Sequence, residues 1–246
     1  MRIRFLGTGD AFGAGGRLQT SFYLETEPVR ALIDCGATTL PALKAAALDA
    51  NAIDVVLVTH LHGDHFGGLP FMLLDGQFSR RTRPLTIAGP PGLNDRLTQA
   101  LEVLYPGASR IARKFDTQIV ELAAQTETQI GALRVTAFTV SHPSGAPAYA
   151  LRIQVDGRAV AYSGDTEWTE SLIDAAKDTD LFIAEASSYE RPIPHHLSYV
   201  TIGRERDRLA CKRLVITHMG PDMLARLPYI DDPTVEFAFD GFTVDL

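Results

Sequence analysis

Seven residues, Thr59-His60-Leu61-His62-Gly63-Asp64-His65, constrain this chain more than any others. They hold three imidazoles and a carboxylate, directly after the apolar run Val55-Val56-Leu57-Val58. An apolar, β-branched run predicts a buried strand. That strand ends by delivering a turn crowded with metal-binding side chains. His60 and His62 are two apart and Asp64 and His65 adjacent, so a tight turn can aim all four into one pocket. Neutral imidazoles suit zinc, iron or manganese, and a nearby carboxylate suits a second hard ion or a metal-bound water. A surface turn merely rich in histidine would not group four such donors at a strand end.

The remaining donors repeat this placement. Only seven histidines occur, three of them in this turn. His142 follows the strand-like Leu133–Val140, His218 follows Leu214–Thr217, and Asp165 follows Ala159–Gly164. In layered α/β proteins, sites gather where loops converge at strand ends. Each of these residues alone reads as structural; with the His60 turn, they read as one constellation.

The length of 246 residues suits a single domain over 1–246 with a large core. No apolar run reaches the roughly eighteen residues of a membrane span. Met1-Arg2-Ile3-Arg4-Phe5-Leu6 reads as a strand and lacks the layout of a signal peptide, so a cytoplasmic location is expected. Cys35 and Cys211 stand in no paired metal motif and are expected to be small buried thiols. A net charge of −7 argues against a surface that coats nucleic acid, although divalent ions would make the site itself positive. Two basic clusters, Arg80/Arg81/Arg83 and Arg110/Arg113/Lys114, are expected to be solvated loops.

Apolar patterning predicts strands near Ile3–Leu6, Ser21–Leu24, Ala31–Asp34 and Val55–Thr59, with helices at Leu40–Leu48, Gly68–Leu74 and Leu93–Leu104. A second half repeats the theme. Strands are expected at Leu133–Val140, Ala148–Val155, Ala159–Ser163, Leu181–Ala184 and Leu214–Thr217, and helices at Glu170–Ala176 and Ile202–Cys211. Interleaved strands and helices indicate an α/β layered fold. The glycine-rich Leu6–Gly16 segment is followed by the strand-like Ser21–Leu24 rather than a helix, which excludes a dinucleotide fingerprint. It is either a wall of the site or a structural turn. Asp34 ends a strand, and either caps a turn or orients a metal-binding imidazole through its second ring nitrogen.

The pattern His60-x-His62-x-Asp64-His65, then His142, Asp165 and His218, resembles the metallo-β-lactamase superfamily in order along the whole chain. The resemblance implies a four-layer αββα sandwich with a dinuclear metal site at one edge. His60, His62 and His142 would hold one ion; Asp64, His65 and His218 the other; Asp165 would bridge them. It favours the orienting role for Asp34. Two divalent ions are implied, zinc first, with manganese or iron as alternatives. At about 3.5–4 Å apart, such a pair activates a bridging water at neutral pH.

Within that superfamily, Leu6-Gly7-Thr8-Gly9, Tyr162-Ser163-Gly164-Asp165-Thr166 and His196-Leu197-Ser198 look like elements of the ribonuclease Z branch and its phosphodiesterase relatives. The last implies a histidine outside the metal set that acts as general acid on the leaving oxygen, with Asp64 as a proton acceptor. His196 fits that element; its neighbour His195 is the alternative. Two departures are visible. Ala184-Glu185-Ala186-Ser187 keeps the glutamate of the branch's His-Glu-Ala-Thr but not its histidine, and no long Gly- and basic-rich insertion resembles a tRNA-gripping arm. The expected function is therefore hydrolysis of a small nucleotide or cyclic phosphodiester, with tRNA 3′-processing, and hence RNA, as the alternative. Lactonase or thioesterase chemistry of the same fold is a further alternative. No membrane partner is expected, and homodimerisation is left open. A secreted β-lactamase, a redox diiron protein and a metal-stabilised binding module fit less well, because the ligand set is complete and Asp165 and His62 stand where some of those relatives carry other residues.

Overall fold

The apolar run that precedes the histidine turn forms a strand, Val55–Leu57, in the interior of a seven-stranded sheet in the computed structural model, which describes residues 1–246. In chain order that sheet holds β1 (Arg2–Gly7), β2 (Ser21–Glu25), β3 (Arg30–Ile33), β4 (Val55–Leu57), β5 (Leu85–Gly89) and β6 (Thr117–Glu121) side by side. β1, β2 and β3 pair antiparallel; β3 to β6 run parallel. A second seven-stranded sheet repeats the plan with β7 (Glu127–Ile130), β8 (Leu133–Val140), β9 (Ala148–Val155), β10 (Arg158–Tyr162), β11 (Leu181–Glu185), β12 (Leu214–Thr217) and β13 (Glu236–Phe237). Here β7 to β10 pair antiparallel and β10 to β13 parallel. The last strand, β14 (Thr243–Asp245), returns to the first sheet beside β1.

Burial sorts the molecule into four layers. Residues from both sheets, among them Phe5, Phe22, Ile33, Leu57, Leu151, Tyr162 and Val215, form the core between them. On the outer face of the first sheet lie α1 (Thr39–Ala45), α3 (Leu69–Phe78) and α4 (Leu93–Leu104). Outside the second lie α5 (Ser171–Ala176), α6 (Tyr199–Glu205) and α7 (Pro221–Arg226). α4 shows the reason for its placement: Leu93, Leu97 and Leu101 recur every four residues and are buried, while Asn94, Asp95, Arg96, Thr98 and Gln99 face solvent. The one-turn α2 (Gly63–Phe66) carries Asp64 and His65 inward at the sheet edge. This is the αββα sandwich expected from the sequence. No helix is long and apolar enough to cross a membrane.

Some expectations need correction. The helix expected at Ile202–Cys211 is α6, Tyr199–Glu205, which starts and ends earlier. Cys211 is only half-buried, although Cys35 is buried as expected, and both thiols are free. Arg81 is not part of a solvated loop. Its side chain is buried and donates to the carbonyls of Ala50 at 3.1 Å, Arg83 and Pro84 at 2.8 Å each, and Ile53, with its guanidinium over the Phe115 ring. It ties the loop after α3 to the approach of β4, while Arg80 is exposed and Arg83 pairs with Asp54 at 2.5 Å. Buried carbonyls left without donors are costly. Arg81→Ala is expected to lower stability by about 2–4 kcal/mol, read from the urea midpoint, whereas Arg80→Ala should leave the midpoint unchanged.

Candidate active site

Strand ends of both sheets meet at one edge and bring together all seven predicted donors. The His60 turn follows β4, His142 follows β8, Asp165 follows β10 and His218 follows β12. Donor atoms of His60, His62 and His142 lie within 4.8 Å of one another, and so do those of Asp64, His65, Asp165 and His218. Asp165 touches both groups: its carboxylate oxygens are 3.9 Å from His60 Nε2, 3.3 Å from His65 Nε2 and 3.4 Å from His218 Nε2. Asp64 adds contacts of 3.1 Å to His65 Nε2 and 3.4 Å to His218 Nε2.

Backbone geometry fixes these positions. Gly164 has φ +59°, and a Cβ there would stand 2.6 Å from the carbonyl of Tyr149, so only glycine delivers Asp165 in this way. Asp34 and His218 adopt left-handed backbone at φ 59° and 53°, uncommon for residues with side chains. Asp34 therefore lies just outside β3 instead of ending it.

The hydrogen bonds aim the rings. Asp34 is wholly buried; its Oδ1 accepts from the Thr59 amide and its Oδ2 from Thr59 Oγ1, both at 2.8 Å, and Oδ2 also from His65 Nδ1 at 2.6 Å. Because the Thr59 hydroxyl spends its proton on Asp34, it accepts from His60 Nδ1 at 3.1 Å. His142 Nδ1 donates to the carbonyl of His195 at 2.9 Å. In each case one ring nitrogen is held by protein and the other faces the cluster. His60 Nε2, His65 Nε2 and Asp165 Oδ1 are buried there without a hydrogen-bond partner. Buried orphan donors and acceptors are rare in folded proteins. Imidazole nitrogens and carboxylates converging in this way form a cluster that could hold divalent metal ions.

Charge is balanced within the cluster. Burial pushes the Asp34 carboxyl above its usual range, against the pull of His65 and the Thr59 donors. Burial opposes ionisation of Asp64 too, but His65 and His218 outweigh it and hold the carboxyl low. Burial, then the charge of His65, keeps His60 well below the usual imidazole value. For His218, burial is outweighed by Asp165 and the bond to Asp64, which lift it to about 9.

His196 stands beside these donors. Its Nδ1 is 3.0 Å from Glu185 Oε2 and 3.1 Å from Ser187 Oγ, and its ring stacks on His218 with centroids 5.9 Å apart. Glu185, at the end of β11, is wholly buried and also accepts from the Thr166 amide at 2.6 Å and Ser187 Oγ at 2.8 Å. Burial opposes protonation of His196, yet the hydrogen bond and charge of Glu185 raise its pKa. His195 is exposed, at φ 65°, and reaches the cluster only through its carbonyl. Ala184, where the ribonuclease branch has histidine, packs in the core outside the second sheet. Thr59, Glu185 and Ser187 carry hydrogen bonds that sequence alone did not assign. The signal available was their position: Thr59 precedes His60 just past β4, and Glu185 and Ser187 lie at and just past the end of β11.

The cleft over the donors encloses about 280 Å³ and is lined by Asp10 and Phe12 of the glycine-rich segment together with His62, Asp64, Asp165 and His196. A second hollow of about 700 Å³, containing Trp168 and Arg204, shares Ile193 and His196 with it.

Comparison with known proteins fits this geometry. The family model described as anti-Pycsar protein Apyc1 matches residues 1–227. A ribonuclease Z of Lachnoclostridium phytofermentans is 32% identical over 282 residues, covering 94% of this chain and 91% of the relative. Human tRNase Z, short form, superimposes with a TM-score of 0.81 at 25% identity, covering 100% of this chain and 99% of the human one. The metallo-β-lactamase fold protein YhfI from Bacillus subtilis gives 0.80 at 20% identity, covering 99% and 98%. The alignment to the Lachnoclostridium enzyme runs over 282 positions although this chain has 246 residues, so dozens of that enzyme's residues have no counterpart here. A metal-dependent hydrolase of the metallo-β-lactamase fold, near the ribonuclease Z and phosphodiesterase branch, this chain belongs to the Apyc1 family.

Proposed function

We propose that the protein is a phosphodiesterase acting on a small nucleotide or cyclic phosphate, with all 246 residues serving as one cytoplasmic domain. The observation that carries this reading is the Glu185–His196 pair beside the His/Asp cluster in a cleft of about 280 Å³. That volume is at the small end of ligand sites. His60, His62 and His142 would hold one divalent ion, Asp64, His65 and His218 a second, with Asp165 shared and zinc the first candidate. When bound, the ions would supply an activated water and stabilise charge on the phosphoryl oxygens.

The chain's own residues divide the remaining work. Asp34 and Thr59 hold His65 and His60 in the tautomers that point Nε2 inward. Asp64 would be the acceptor for the proton of the attacking water once the ions are bound. Glu185 keeps Nδ1 of His196 occupied, so the opposite ring nitrogen is the one left to protonate the departing alkoxide. Hydrolysis of a thioester expels a thiolate, a leaving group that needs less protonation than an alkoxide, so the pair favours phosphodiesters over thioesters.

Processing of tRNA is the second reading, supported by the names of the relatives. Against it stand the missing counterpart residues and the structural role of Arg81, which removes the centre of the basic cluster from any RNA grip. A panel of cyclic nucleotides, nucleotide phosphodiesters, precursor tRNA, lactones and thioesters tests the proposal. Preference for lactones or thioesters would reject phosphodiester hydrolysis as the activity.

Orientation by Asp34 has its own expected result. Partners that orient metal-binding imidazoles contribute roughly 10–100-fold in metal affinity. Asp34→Ala should weaken zinc binding by about that factor, seen in competition with a chelator. Unchanged affinity would make Asp34 a turn residue only.

A further inference from the structure

We infer that Phe12 stacks on the nucleobase of the substrate whose phosphate occupies the His/Asp cleft, an inference that rests on the small-phosphodiester reading. Phe12 is 95% exposed, and among the large apolar side chains left in solvent it alone lines that cleft. Single exposed apolar residues are ordinary on protein surfaces. This one is held in place by design of the turn. The Asp10 carboxylate accepts from the amides of Phe12 at 3.1 Å and Ala14 at 2.9 Å, and Gln19 Nε2 donates to the Ala11 carbonyl at 3.0 Å. Gly13 and Gly15, at φ 71° and 66°, take the left-handed turns that let the chain fold back.

The turn is also docked on the donor loops. Gly9 bridges to Met219, next to His218, and Gly220, beside Asp10, has no Cβ to meet the Ser187 carbonyl, which it would approach to 2.5 Å. An aromatic ring with a free face thus stands at the mouth of the cleft on a fixed support. The partner chemistry that suits it is a flat, polarisable ring attached to a phosphate, which describes a nucleobase. Stacking of this kind is tolerant of base identity. The other aromatic nearby, Trp168, is already engaged: Arg208 lies over its ring at 6.0 Å, its Nε1 reaches Glu170 at 3.4 Å, and its body packs on the outer core.

Kinetics of the metal-loaded protein test this. The compounds are a nucleoside 3′,5′-cyclic monophosphate and the matching cyclic phosphate of methyl ribose, which lacks the base. Phe12→Ala is expected to raise KM for the nucleotide roughly tenfold, the size of one lost base–aromatic stack. Its kcat should stay the same, and so should both constants for the base-free compound. Phe12→Trp should restore the nucleotide KM. Binding of a 2-aminopurine nucleoside monophosphate gives a second readout, since stacking quenches its fluorescence; the quench should be lost in Phe12→Ala. Equal changes for both compounds would overturn the inference, as would an unchanged nucleotide KM in Phe12→Ala accompanied by a rise in Trp168→Ala. Wild-type protein that cleaves neither compound would instead remove the phosphodiesterase reading beneath it.

Discussion

His196→Ala is expected to lower kcat on alkyl phosphodiesters by roughly a hundredfold to ten-thousandfold, the range of a general-acid contribution, while leaving the metal content intact. The separation follows from geometry. Nδ1 of His196 is occupied by Glu185 at 3.0 Å and Ser187 at 3.1 Å, whereas the ring sits in the wall of the cleft beside His142 and His218. A proton delivered from Nε2 matters most when the leaving oxygen is a poor one. The loss should therefore shrink for p-nitrophenyl esters, whose leaving group needs little protonation. An equal loss on both kinds of ester would assign His196 to charge stabilisation or positioning. Glu185→Gln should lower kcat less than His196→Ala and shift its pH profile, because the imidazole keeps a hydrogen bond but loses the charge that raises its pKa.

Asp165→Ala should have the other large effect, on both metal positions at once. Its carboxylate stands between His60 on one side and His65 and His218 on the other, at 3.9, 3.3 and 3.4 Å. Removing it takes away the carboxylate shared by the two groups, so two bound dications would face each other with less negative charge between them. Affinity at each position should fall by more than a hundredfold, beyond the roughly 10–100-fold carried by outer hydrogen-bond partners, and turnover should fall with it. His218→Ala should empty mainly the position shared by Asp64 and His65. Elemental analysis of the two variants distinguishes them. One ion per chain in fully loaded wild-type protein would contradict the shared role of Asp165.

Parts of this arrangement were legible in the sequence because they are local. Leu133–Val140, Ala148–Val155 and Leu214–Thr217 form strands with the predicted bounds, since each is an apolar or alternating run of the right length. The donors were legible because each directly follows such a run. Other parts depend on contacts that sequence does not display. β6 and β7, at sheet edges, expose residues such as Gln118, Glu121, Glu127 and Gln129 and so lack a clear apolar signal. The role of Arg81 depends on four carbonyls brought to it by folding. Glu185 was noticed only as the kept glutamate of a familiar pattern; its work is set by His196, eleven residues away. Likewise the His195 carbonyl, rather than its imidazole, meets His142 across 53 residues.

The central claim is that the cleft serves small phosphodiesters. Its most direct test is the ratio of kcat/KM for a nucleoside cyclic monophosphate to that for precursor tRNA, measured on the same metal-loaded protein at two salt concentrations. Contacts with many phosphates make affinity for nucleic acid fall steeply with salt. The structure predicts a ratio well above one and a kcat/KM on the cyclic nucleotide that changes little with salt. Efficient cleavage of precursor tRNA at its 3′ side, with a ratio below one and a steep salt dependence, would contradict it and establish tRNA processing instead.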